Sequence, residues 1–96
     1  MHADFSTVQN HHEAAVFEAV AALAADYPAI GDDRGLLADV ACVALNRLPP
    51  RYIRHAVDLH FYLGAQARAE HRREVDAAVR AAYEFVQART LLGART

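Results

Sequence analysis

Apolar positions recur at helical spacing over three stretches of the chain. In the first, "TVQNHHEAAVFEAVAALAADYP", Val8, His12, Val16, Val20 and Leu23 fall on one stripe, with Ala15 and Ala19 beside it. That period predicts a helix with one buried face. Ser6 or Thr7 can cap its start; "NHHE" offers a second reading, with Asn10 as the cap and Glu13 three residues on, as in a capping box. Pro28 ends the helix, because the residue before a proline avoids helical geometry. "AIGDDRG", 29–35, is a loop of turn residues in which Asp32 or Asp33 can cap the second helix. "GLLADVACVALNRL" is apolar nearly all round, with Asp39 the sole charge between Leu36 and Leu45. A helix of that kind is buried centrally or shared between two chains, and Asp39 marks its one wet strip. From about Ala65 to Arg89, Val75, Val79, Ala82 and Val86, flanked by Ala78 and Phe85, make a third apolar face. Arg72 with Asp76, Asp76 with Arg80, and Arg80 with Glu84 stand four apart, where side chains meet on a helix and each pair contributes about 0.2–0.5 kcal/mol. The expectation is an all-α, mostly helical domain with main helices near 8–26, 35–48 and 65–89. Residues 90–96, ending in "LLGART", are expected to fray.

The pattern changes between the second and third helices. Pro49 and Pro50 stop the second helix, since proline lacks the amide hydrogen and locks its own backbone, so "LPPRY" is extended and stiff. In "VDLHFYL", Val57, Leu59, Phe61 and Leu63 alternate with Asp58, His60 and Tyr62. That is strand periodicity. A lone strand leaves backbone groups unpaired, and no other stretch reads as a strand. Either the same strand in a second subunit pairs with it, or the stretch is irregular and packs by its apolar side. With the apolar second helix, this predicts a homodimer.

A chain of 96 residues forms one domain with a modest core. All ten basic residues are arginine, and the net charge of −2 argues against a general nucleic-acid binder. Residues 1–50 carry seven acids and two arginines, net −5; residues 51–96 carry eight arginines and five acids, net +3. An anionic ligand would favour the second half. "MHADFSTVQN" has neither the basic start nor the apolar run of a signal peptide, and no apolar stretch approaches a membrane span, so a cytoplasmic protein without a membrane partner is expected.

The single cysteine, Cys42, lies mid-helix in "VACVAL" and reads as a small core hydrophobe, buried and slow to react. The six histidines show no metal-site spacing; adjacent His11 and His12 face different sides of a helix. No phosphate loop, catalytic triad context or paired-carboxylate signature occurs. No enzyme, no metal and no cofactor are expected.

This leaves "NRLPPRYIRH", 46–55. Arg47, Arg51 and Arg54 can form an anion site, because a planar guanidinium pairs two-pronged with a phosphate or a guanine edge. Tyr52 can stack on a base or hydrogen-bond through its hydroxyl. The prolines hold the segment stiff, so little entropy is lost in ordering it around a ligand. On the residues alone, the plainer reading is a sharp helix stop with exposed arginines.

The phrase "DVACVALNRLPPRY", 39–52, resembles the signature of the late-competence ComFB family, a helix ending in an A-L-N-x-L-P-P-x-Y-like phrase. "NHHEAAVFEAV", 10–20, resembles that family's opening helix, and "YIRHAVDLHFYL", 52–63, resembles a variant associated with its proteobacterial members. The likeness runs from residue 8 to about 88. It implies a small, mostly helical domain that dimerises. It also implies ligand binding, since cyanobacterial members are receptors for cyclic dinucleotide second messengers, cyclic di-GMP above all. Firmicute members bind zinc through cysteines between the first two helices; here that loop is "AIGDDRG", so the zinc role is not carried over.

With that implied ligand, Arg47, Arg51 and Arg54 take phosphate or guanine O6 and N7, Tyr52 stacks, and Asp58 or Glu13 meets guanine N1 and N2. His55 completes the candidate set. The implied function is a cyclic dinucleotide receptor, for cyclic di-GMP before cyclic di-AMP, regulating motility, pili or competence through an unnamed downstream protein. The alternative is a helical homodimeric adaptor that needs no small ligand.

Overall fold

Each of three helices buries one apolar stripe against the other two. The computed structural model describes residues 3–55 and 64–93. Helix α1 spans His12–Leu23, α2 spans Arg34–Arg47 and α3 spans Ala65–Gly93. Val16 and Val20 of α1, Val40 and Ala44 of α2, and Val75, Val79, Ala82 and Val86 of α3 meet in the core. The α1 and α3 stripes are those the spacing predicts; for α2 the pattern singles out no face. Fully burying one such valine contributes about 1.5–3 kcal/mol.

The start of α1 lies later than expected. Gln9–Asn10 forms a two-residue strand, β1, paired antiparallel with β2, Tyr52–Ile53, in the register Gln9↔Ile53 and Asn10↔Tyr52. Val8 therefore lies outside the helix and is exposed. Of the two cap readings, Asn10 acts: its side-chain oxygen accepts from the His12 amide at 3.1 Å. The Pro-Pro segment leads directly into β2, so "LPPRY" is extended as expected. Its partner is the N-terminal segment of the same chain, which carries too few residues to show a period. The strand expected at 57–63 lies outside the described residues.

After α1 the chain tightens into a 3-10 turn, Ala24–Asp26, and the loop folds back on it. The amides of Ile30 and Gly31 both donate to the Tyr27 carbonyl, at 3.1 and 2.8 Å. A Cβ at Gly31 would collide with the Ala24 carbonyl oxygen, so glycine is required there. Asp33, not Asp32, caps α2 by accepting from the Leu36 amide at 3.0 Å.

Tyr83 ties α3 to α1 at the centre. It is fully buried, and its hydroxyl donates to the Val20 carbonyl at 2.5 Å. Tyr27 lies flat on it, ring centroids 4.3 Å apart and planes within 2°. Burial, then the neighbouring Tyr27, pushes the Tyr83 hydroxyl above its usual range.

Three expectations are corrected. Helix α3 runs on to Gly93, so Leu91 and Leu92 are helical and exposed where a fraying tail was expected. Arg80 finds its acid across the fold, at Asp26 of the 3-10 turn (3.7 Å), and not along its own helix. Cys42 is exposed. Helix α2 is apolar nearly all round, but α1 and α3 cover only one side of it within a chain. Asp39 is exposed as expected and pairs with Arg89 at 3.3 Å. Among the described residues, no helix is long and apolar enough to cross a membrane.

Candidate functional site

His12 opens α1 on the buried stripe, a position where a valine or leucine would be the ordinary choice. It is 5% exposed. A buried imidazole needs partners for both nitrogens, and both are found. Its Nε2 lies 2.9 Å from the Pro49 carbonyl oxygen, and its Nδ1 lies 2.8 Å from Nε2 of His71 on α3. A carbonyl only accepts, so Nε2 of His12 carries the hydrogen. In the neutral ring Nδ1 then accepts, and His71 Nε2–H is the donor. A directed chain thus runs from His71 through His12 to Pro49.

Pro49 has no amide hydrogen, and its carbonyl lies just beyond the end of α2. The Leu48 amide closes that helix on Ala44 at 3.3 Å. His12 takes up the Pro49 carbonyl, so the first proline of the pair is held to α1 and, through His71, to α3. Two residues on, the Arg51 carbonyl accepts from the His11 amide at 2.6 Å. The loop is thereby pinned on both sides of Pro50.

The ring of His11 stacks on His71 with centroids 4.8 Å apart and planes 22° from parallel; His12 and His71 are 4.9 Å apart at the same angle. Nε2 of His11 is buried without a hydrogen-bond partner. Burial, then the charges of His71, His12 and Arg51, holds the His11 imidazole below the usual histidine range. His71 is lowered too, by burial first and then His12, with Glu74 opposing and Arg51 adding to the shift.

Arg51 is exposed and borders a small cleft of about 230 Å³ between the Pro-Pro loop and α3. Glu70, His71 and Glu74 form its other wall. Arg51, Glu70 and Glu74 thus line the same opening. Between α1 and α3 lies a second cleft of about 420 Å³, lined by His11, Glu18, Arg68, His71, Arg72 and Asp76 together with alanines of α1.

Among the described residues of the predicted set, Arg51 borders the cleft beside the Pro-Pro loop and the others lie elsewhere. Arg51 faces α3. Arg54 turns to the N-terminal segment, where its Nε donates to Thr7 Oγ1 at 3.2 Å. Arg47 ends α2 and is exposed. Tyr52 is 67% exposed in β2, and His55 is exposed just after it. Glu13 sits exposed in the first turn of α1, and Asp58 lies outside the described residues. Glu70, Glu74 and the three histidines are absent from the sequence-derived set. For His12 a signal exists, since it stands on the apolar stripe; for His71 the signal is its place one turn before Val75.

A third surface lies between α1 and α2. Phe17, Leu37, Ala41, Cys42 and Leu45 line an apolar groove of about 630 Å³, with Phe17 53% exposed. Among the described residues, no group of three His, Cys, Asp or Glu side chains is arranged to hold a metal ion.

The family described as Late competence development protein ComFB matches residues 9–90. No curated protein and no solved structure matches the chain significantly.

Proposed function

The chain belongs to the late-competence ComFB family, and we propose that it is a non-enzymatic receptor for a cyclic dinucleotide, cyclic di-GMP before cyclic di-AMP, with Arg51 as its chief ligand-binding residue. The observation that carries this reading is the pinning of the loop at Pro49 and Arg51. The His12 and His11 bonds fix the backbone on both sides of Pro50, so the Arg51 guanidinium is presented from a stiff segment. A pre-ordered arginine loses less entropy on binding a phosphate or the O6 and N7 edge of guanine. Glu70 and Glu74, which line the same opening, would meet guanine N1 and N2, a role the sequence alone suggests for Asp58 or Glu13. Tyr52, exposed beside Arg51, offers a ring for stacking. None of these groups reacts; they bind.

The cleft is smaller than the roughly 300–1,000 Å³ of small-molecule sites, so one chain seats one half of the ligand. Cyclic di-GMP is two-fold symmetric, and a symmetric pair of chains would hold both halves. The exposed groove at Phe17, Leu37 and Leu45 is the face on which two copies would meet. That groove also favours the second reading, a helical adaptor docking a protein partner there with no small ligand.

A thermal-shift screen of the purified protein against cyclic dinucleotides tests the proposal. A ligand at a hundredfold its dissociation constant adds about 2.7 kcal/mol, which moves the midpoint of so small a domain by on the order of 10 °C. A shift with cyclic di-GMP and none with GTP supports the receptor. No shift with any cyclic dinucleotide leaves the adaptor.

A further inference from the structure

We infer that the cleft between α1 and α3 binds a short aliphatic zwitterion, an amino acid whose carboxylate and ammonium stand at opposite ends of a methylene chain. The two helices pass this cleft in the same direction. His11 and His12 meet His71 at one end, and farther along both helices Val20 meets Tyr83. Chain order along each helix is therefore order along the cleft. On α3, Arg68, Arg72 and Asp76 line it at successive turns; on α1, His11 comes first and Glu18 about two turns later. One end is thus basic and carries two imidazoles, and the other holds two carboxylates.

Arg72 and Asp76 stand four apart on one helix, yet among the described residues neither they nor Glu18 form an ion pair. The basic end also holds the buried Nε2 of His11, which has no hydrogen-bond partner. A buried polar atom calls for one, and as Nε2–H it donates to a carboxylate. Between the two ends the wall is Ala15, Ala19 and Ala22 of α1 with Val75 of α3. These small side chains leave a cavity of about 420 Å³, within the roughly 300–1,000 Å³ of small-molecule sites, and they offer methylene groups an apolar surface. A guanidinium pairs two-pronged with a carboxylate, and an ammonium brings three donors to the acids. Arg72 and Asp76 are one helical turn apart, a rise of about 6 Å. That separation suits a ligand with about four methylenes between its charges, such as 5-aminopentanoate, better than an α-amino acid, whose charges share one carbon.

This cleft shares only His71 with the cleft at Arg51, and the zwitterion site stands or falls apart from the receptor reading. The test is an NMR titration of the full chain at neutral pH with 5-aminopentanoate, and with pentanoate, pentylamine and glycine as controls. 5-Aminopentanoate should shift the amides of Ala15, Ala19 and Arg72. It should bind about tenfold or more tightly than pentanoate or pentylamine, because each of those lacks one charge-assisted contact. Glycine should bind no better than they do. Arg72→Gln should bring 5-aminopentanoate down to the level of pentylamine, and the double variant Glu18→Gln, Asp76→Asn should bring it down to that of pentanoate. All three side chains are exposed, so the variants should keep the fold, which circular dichroism checks. No shift at about 10 mM 5-aminopentanoate overturns the site. So does glycine or either singly charged analogue binding as tightly, undiminished binding in a folded Arg72→Gln, or shifts confined to residues outside the cleft.

Discussion

His12 Nε2–H donates to the carbonyl oxygen of Pro49 at 2.9 Å, joining the first turn of one helix to the segment that ends another. The residues stand 37 apart in the chain. The bond explains why a histidine occupies a core position. An apolar side chain there would bury as well, but it would leave the Pro49 carbonyl and the His71 ring without their partner.

His12→Ala should therefore destabilise the domain more than its lost volume alone implies. Two hydrogen bonds vanish and leave partners behind, at about 1–3 kcal/mol for each group that stays buried and unpaired. Urea unfolding monitored by circular dichroism should show the loss with helical content intact. Stability within about 0.5 kcal/mol of wild type would contradict the account of the loop.

Tyr83→Phe isolates the other central polar contact. The ring and its stack on Tyr27 survive, and only the hydroxyl donor to Val20 is lost. The expected cost is about 1–3 kcal/mol, because the acceptor carbonyl is left inside the core. A neutral substitution in urea unfolding would show that the bond does not contribute.

Much of this fold is legible in the sequence, and the exceptions have physical causes. The stripes Val16–Val20 and Val75–Val79–Val86 read directly, because each helix buries one face and period reports faces. The strand at Gln9–Asn10 does not, since two residues carry no period and their pairing depends on where Pro49 and Pro50 send the chain. Cys42 misleads for a different reason. In a helix that is apolar nearly all round, the pattern cannot say which side the chain itself covers. The arginine cluster around Pro49 and Pro50 is legible as a cluster, but its directions are not. Arg51 and Arg54 diverge because α3 borders one and Thr7 takes the other. Glu70 and Glu74 look like ordinary surface acids until α3 is laid against the loop.

Asp33→Ala and Asp32→Ala should separate the two adjacent acids. Only Asp33 caps α2, so its loss should cost about 0.5–2 kcal/mol, whereas the loss of Asp32 should be nearly silent. Thermal unfolding of the two variants side by side decides it. Equal effects would contradict the cap assignment.

Cys42 is exposed and lines the groove proposed as the meeting face of two copies. A thiol-reactive dye should label it readily in dilute protein and progressively more slowly as concentration rises and copies pair. Labelling that is fast at every concentration would remove this groove as the contact between copies. Protection even at the lowest concentrations, where the chain is monomeric by light scattering, would contradict its exposure.

The central claim is that the pinned loop presents Arg51 to a cyclic dinucleotide, and calorimetric titration with cyclic di-GMP tests it most directly. Wild type should bind at micromolar concentration or better. Arg51→Ala should lose about 1.5–3 kcal/mol, tenfold or more in affinity, while Arg54→Ala, whose guanidinium is engaged by Thr7, should lose less. Wild type that takes up no cyclic di-GMP, or Arg51→Ala that binds it as tightly as wild type, would contradict the claim.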